Sequence, residues 1–210
     1  MNTFYSYVID YYYPSPSPLK ELLLAHSEAV KKRALDIAQA HPEMKLDHNL
    51  IVNGAMLHDI GILRCDAPRI HCHGTEPYIC HGKIGAEMVR AFVEQLIANH
   101  QHMCICPECD SRVVGNGVHI DNFTEQLARI CERHTGAGIT VDDIRTQHLP
   151  LSLRDYQPET LEEKVICYAD KFFSKTKPNL TKTFEEACRS LEKFGTEGVQ
   201  RFMAWKKLFE

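Results

Sequence analysis

The chain has 210 residues, 44% of them hydrophobic, which suits one globular domain with a real core. Its formal charge of −4 argues against a nucleic-acid polymer as partner, and no apolar run approaches the ~20 residues that span a bilayer. Nine cysteines, an odd number behind an N-terminus that does not read as a signal peptide, are expected to be reduced cytoplasmic thiols or metal ligands rather than a disulfide frame.

Residues 1–17 read as an N-terminal extension, with tyrosines that pack on the body or on a partner chain, which admits a homodimer. Ser15-Pro16-Ser17-Pro18 opens a long amphipathic helix over roughly 18–40, stopped by His41-Pro42. Asp47 caps a second helix to about residue 58. A loop rich in Pro, Gly, Cys and His covers 64–80, and a third helix spans 81–98. Residues 99–121 are a Cys/His-rich irregular insert. A helix over 122–134 ends at Thr135-Gly136, and Asp142, Asp143 and PLSLRDYQP form a connection. Helices near 159–175, 181–194 and 197–208 follow, with Gly195 dividing the last two, so that 178–210 is a C-terminal helical segment. No segment has strand periodicity; the fold class is all-α, one domain over 1–210.

The stretch GAMLHDIGI, residues 54–62, sets His58 and Asp59 inside an apolar run. A buried charge needs a partner or a metal. Other apolar stripes carry the same kind of intruder. His26 lies on the stripe of Leu22, Val30 and Ile37, and His81 begins that of Ile84, Met88 and Phe92. His134 ends that of Phe123, Leu127 and Ile130, and Asp170 shares a face with Ile166, Ala169 and Phe173. A lone histidine on such a stripe is more often a hydrogen-bonded core residue. Four histidines and two aspartates on five helices are a complete donor set for two divalent ions.

The order His26, His58-Asp59, Asp170 resembles the HD superfamily of metal-dependent phosphohydrolases, and His58-Asp59-Ile60-Gly61 resembles its HDIG subgroup. PYICHGKIGAE, CERHTGAGIT and RDYQPETLEEKVICYADKFFSK resemble an uncharacterised bacterial and archaeal branch. The resemblance implies an HD-domain helical bundle. It implies one ion held by His26, His58, Asp59 and Asp170, and a second held by Asp59, His81 and His134, with Asp59 as the bridge. It also implies Mn, Fe, Co, Ni or Zn as the metal, with His58 and Asp59 as catalytic residues. A metal-activated water would then attack a phosphate ester or anhydride of a small phosphorylated metabolite, a nucleotide or nucleotide-like compound. The sequence departs from many hydrolysing relatives in lacking a lysine three residues after Asp59, and its 98–121 segment is long for the branch.

Arg64, Lys83, Arg133 and Lys171 neighbour the ligands in sequence and are candidates to meet the phosphate, although solvated surface is the commoner fate of each. In the insert, Cys106-Pro-Glu-Cys109 resembles a zinc knuckle. Cys104 and His100 are candidates to complete a structural zinc site, with His102 and His119 nearby. Two other functions use the same features. A di-iron oxygenase would use the same four histidines and two aspartates, and a non-enzymatic metal or redox sensor would use the cysteine insert.

Overall fold

The computed structural model describes residues 3–99, 103–105, 112–114 and 118–210. Among these are nine α-helices: α1 (Phe4–Tyr12), α2 (Pro18–Ala40), α3 (His48–Leu57), α4 (His81–Asn99), α5 (Ile120–Arg133), α6 (Val141–Thr146), α7 (Leu161–Asp170), α8 (Phe184–Leu191) and α9 (Thr196–Phe209). The protein is all-α in class, with a few short antiparallel strand pairs in its connections.

Local chemistry sets the helix starts. Pro18 occupies the first turn of α2, and the Lys20 N–H donates to the Ser17 hydroxyl. The N–H groups of Asn49 and Leu50 donate to the Asp47 carboxylate at the start of α3. The Thr160 hydroxyl receives the Glu163 N–H at the start of α7. Helices α2, α3, α4, α5 and α7 then pack around one core, α4 lying along α5 and α2 against α3 and α7. Leu23, Ile51, Leu57, Leu127 and Ile166 are fully buried there, each contributing roughly 1.5–3 kcal/mol of burial. Helix α9 closes the far side by setting Phe202 and Phe209 against Tyr168 of α7.

Several segments differ from the sequence expectation. The N-terminal extension contains helix α1, which buries Val8 and Ile9. The Tyr13 hydroxyl donates to the Ile60 carbonyl at 3.0 Å and Tyr12 to that of Met88 at 2.8 Å, so these tyrosines pack on the body while Tyr7 and Tyr11 remain exposed. The 64–80 loop contains a two-strand pair, β1 (Asp66–Ala67) with β2 (Cys72–His73). The insert is not all irregular: β3 (Met103–Ile105), β4 (Arg112–Val114) and β5 (Val118–His119) form an antiparallel sheet. Helix α7 ends at Asp170, not near 175. The chain turns into a hairpin of β6 (Phe173–Ser174) and β7 (Lys177–Thr181). Strands of two to five residues are too short to show a period of two in sequence, which is why they were not expected.

One close approach positions the site. The turn after Asp59, residues 60–64, runs against the start of α4. A Cβ on Gly61 would lie 2.1 Å from the His81 carbonyl oxygen and 2.4 Å from the Gly85 nitrogen. Only glycine lets these two backbones meet, and their meeting brings His81 beside Asp59. Gly61→Ala therefore separates the two segments. It should destabilise the fold by about 1–3 kcal/mol or more and lower metal retention. Thermal unfolding and metal analysis check this; a variant that melts like the parent contradicts the contact.

Candidate metal centre

Six side chains from the five core helices converge at one buried point. His26 comes from the middle of α2 and His58-Asp59 directly follows α3. His81 is the first residue of α4, His134 directly follows α5, and Asp170 is the last residue of α7. All six are buried, His58 and Asp59 completely. Their ligating atoms fall into two groups, His26, His58, Asp59 and Asp170 in one and Asp59, His81 and His134 in the other.

The distances give Asp59 the central place. Its Oδ2 is 3.1 Å from both His26 Nε2 and His58 Nε2. Its Oδ1 is 3.4 Å from His81 Nε2 and 3.3 Å from His134 Nε2. Asp170 Oδ1 completes the first group, 3.0 Å from His26 Nε2 and 3.6 Å from His58 Nε2.

Backbone carbonyls orient three of the imidazoles. The Nδ1 of His58 lies 2.7 Å from the Ala55 carbonyl, that of His81 2.6 Å from Tyr78, and that of His134 2.7 Å from Cys131. A carbonyl only accepts, so each Nδ1 carries a hydrogen and each Nε2 is turned inward, a lone pair wherever the ring is neutral. The Tyr78 ring stacks on His81 at 4.7 Å and adds to its alignment.

This donor set fits divalent cations. His81 Nε2 and His134 Nε2 face each other at 3.0 Å, two lone pairs that repel unless a cation lies near both. The carboxylate oxygens of Asp59 are both buried and receive no backbone N–H; apart from the Lys175 ammonium at Oδ2 they meet imidazole nitrogens. A buried anion so arranged is costly unless positive charge is supplied.

The electrostatics agree. Burial, reinforced by His134, pushes the His81 imidazole down to about 3, and burial also lowers His134, so both are neutral and ready to ligate. Burial opposes ionisation of Asp59, but Lys175 and His58 hold it well below the usual carboxylate range. Asp170 is likewise held low against its burial by Lys171 and Lys175. His58 goes the other way: burial disfavours its charge, but the Asp59 carboxylate prevails and raises it to about 9. Metal uptake near neutral pH must therefore displace a proton from His58.

A cavity of about 610 Å³ opens onto the centre, with His81, His134 and Asp170 in its wall. Five cationic residues also line it: Arg69, Lys171, Lys175, Lys182 and Lys193. Of the four basic residues singled out in sequence, only Lys171 is among them. It is buried, with Nζ 2.5 Å from Asp170 Oδ2 and 2.9 Å from the His134 carbonyl, and so braces two ligand segments. Arg133 turns to Glu159 and Glu163 at 2.9 and 3.3 Å, Lys83 lies 3.7 Å from Glu87, and Arg64 is exposed. None of these three lines the cavity. His100, Cys106 and Cys109 lie outside the described residues, and Cys104 sits in β3. Cys65, Cys72 and Cys80 are buried, with thiols directed to backbone carbonyls.

Sequence reasoning missed Lys175. It sits in the β6–β7 turn, with Nζ 2.6 Å from Asp59 Oδ2. The signal was Lys177-Pro178-Asn179, a turn former just beyond it that a helix over 159–175 leaves unexplained.

The profile described as HD domain matches residues 23–174, which contain all six clustered residues. The chain belongs to the HD domain family. That family lies within a superfamily of metal-dependent phosphohydrolases. An uncharacterised protein of Methanocaldococcus jannaschii is 33% identical over 159 residues, 75% of this chain and 69% of that protein. A protein of Picrophilus torridus named tRNA (cytidine(56)-2'-O)-methyltransferase is 31% identical over 154 residues, 73% of this chain and 32% of its own length. Its namesake in Thermoplasma volcanium is 30% identical over 154 residues, with the same coverage. This HD chain thus spans about a third of the length of the two methyltransferases. No solved structure matches it significantly.

Lys175 is the nearest ammonium to the shared carboxylate of this HD domain. Its side chain is only 15% exposed. In metal-free protein, Lys175→Met removes one of the charges that balance Asp59 and should cost about 3–5 kcal/mol, as for a buried pair losing one partner. Added Mn(II) supplies charge to the same carboxylate and should raise the melting temperature of the variant more than that of the parent. Equal melting of the two chelated proteins would contradict this account.

Proposed function

We propose that the protein is a metal-dependent phosphohydrolase that cleaves a phosphate ester or anhydride of a small, nucleotide-like metabolite. The observation that carries this reading is Asp59, a buried carboxylate whose two oxygens face two separate histidine groups, with the Lys175 ammonium beside Oδ2. His26, His58, Asp59 and Asp170 would hold one divalent ion, and Asp59, His81 and His134 a second. Bound there, such ions supply Lewis acidity and a water acidic enough to be hydroxide near neutral pH.

The chain itself does the positioning. The carbonyls of Ala55, Tyr78 and Cys131 fix three imidazoles as Nε2 ligands. Lys171 holds Asp170 in place. Lys175 places a positive charge at the meeting of cavity and centre, where the negative charge that builds on a reacting phosphoryl group is stabilised. Phe194, Leu149 and Ile79 give the cavity apolar wall for the organic part of the substrate, and its volume suits a compound of nucleotide size. The net charge of −4 favours a small metabolite over a polymer. Two relatives are named as tRNA methyltransferases, but the buried histidine and aspartate groups are donor sets for cations, and they support hydrolysis rather than methyl transfer. The buried thiols suit the reducing cytoplasm. Among the described residues no helix is long and apolar enough to cross a membrane.

Mn-loaded protein kept without oxygen should release phosphate or a nucleoside monophosphate from at least one member of a nucleotide panel. His58→Ala and Asp59→Ala each remove a direct ligand and should lower that release by more than about a hundredfold, beyond the loss typical of a residue one shell further out. Asp59→Ala should also lower metal content. If nothing phosphorylated is cleaved, while iron-loaded protein consumes oxygen with an organic substrate, the oxygenase chemistry of the same ligand set replaces this reading.

A further inference from the structure

The cavity has more positive charge than the metal centre uses. Lys171 is committed to Asp170 and Lys175 to Asp59. Lys182 and Lys193 line the same cavity on the side built by the segment after the hairpin. Among the described residues, the Lys182 ammonium has a hydroxyl, Ser190 Oγ at 3.4 Å, and that of Lys193 lies over the Phe194 ring at 4.8 Å. Neither faces a carboxylate in ion-pair contact there. Lys182 is half-buried, and burial lowers its pKa. The charges of Lys171, Lys175 and Lys193 add to that effect, against the pull of Asp170. With Lys171 and Lys175 balanced by their carboxylates, Lys182 and Lys193 are left as like charges on one cavity wall, an arrangement that an anion between them relieves.

We propose that Lys182 and Lys193 form a second anion subsite that binds a phosphate group other than the one cleaved. The substrate is then a compound carrying two phosphate groups, one presented to the His/Asp clusters and the other held by the C-terminal lysines. This rests on the hydrolase reading and names its substrate class. Charge balance selects phosphate: two ammonium groups without carboxylate partners match the roughly −2 charge of one phosphate monoester. Size agrees, since 610 Å³ is far more than a single phosphate needs. The family match stops at residue 174, so both lysines lie outside the segment shared with the HD profile, where substrate choice can differ between relatives without disturbing the ligand set.

The test compares matched ligands that differ by one phosphate: orthophosphate with pyrophosphate, and fructose 6-phosphate with fructose 1,6-bisphosphate. Dissociation constants are measured by calorimetry on the full chain with its metal, and phosphate release is followed separately. For at least one pair the parent should prefer the doubly charged ligand by roughly tenfold or more, as two charge-assisted contacts imply. In the double variant Lys182→Ala/Lys193→Ala that preference ratio should collapse toward one. Lys193→Glu, at an exposed position where folding is not at risk, should lower the ratio on its own. No preference in the parent for either pair, or a preference that survives in both variants, overturns the subsite. Lysine-dependent preference without any phosphate release would leave the subsite standing and sink the hydrolase reading. Release from singly and doubly phosphorylated compounds alike, insensitive to both variants, would do the reverse.

Discussion

The fold is organised around the burden of one ionised carboxylate with no exposure to water. Asp59 receives no backbone N–H, so its stability depends on what its surroundings deliver: four imidazoles, the lysine of the hairpin turn and whatever cation the site admits. Each of the five core helices contributes at least one of the clustered side chains. The interior is thus both the hydrophobic core and the meeting place of six metal-capable side chains. A shift of any one helix moves a donor as well as its packing.

Most of the donors sit at helix ends. His58, His81, His134 and Asp170 all lie at a terminus, where backbone groups are not fully used by the helix. Three histidines exploit this by bonding to a carbonyl three residues earlier, which both satisfies the peptide and aims the ring. The glycine that follows the His-Asp pair has a complementary role. It lets two backbones approach to a separation no side chain would allow, and so brings two ligand-bearing segments together.

What could be read in the sequence divides along physical lines. His26, His81, His134 and Asp170 stood out because each interrupts an apolar stripe, and periodicity reports burial directly. The helical class was legible for the same reason. Lys175, Lys182 and Lys193 were not, because a lysine on a polar segment looks like any solvated lysine until the chain's turn is known. The end of α7 at Asp170 was obscured by Phe172 and Phe173, which continue an apolar pattern through a change from helix to hairpin. Arg133 shows the opposite error. Adjacency to His134 suggested the cavity, but a helical step of one residue rotates a side chain by roughly 100°, which here directs it to Glu159 and Glu163.

The hairpin that follows α7 divides the chain's labour at a single peptide link. Among the described residues, the six metal-capable side chains of the clusters all lie at or before Asp170. The cavity's lysines after it sit in the connections around a short ribbon and two helices, Lys171 and Lys175 before and within the hairpin, Lys182 before α8 and Lys193 between α8 and α9. The chain therefore places its six clustered side chains on one side of that link and most of the cavity's ammonium groups on the other, with Lys171 and Lys175 reaching back to Asp170 and Asp59. A graft of residues 171–210 from a relative would leave the six clustered side chains in place and change the cavity's charge. Only with lysines kept at 171 and 175 and the aromatic contacts of Phe202 and Phe209 preserved would the bundle close as before.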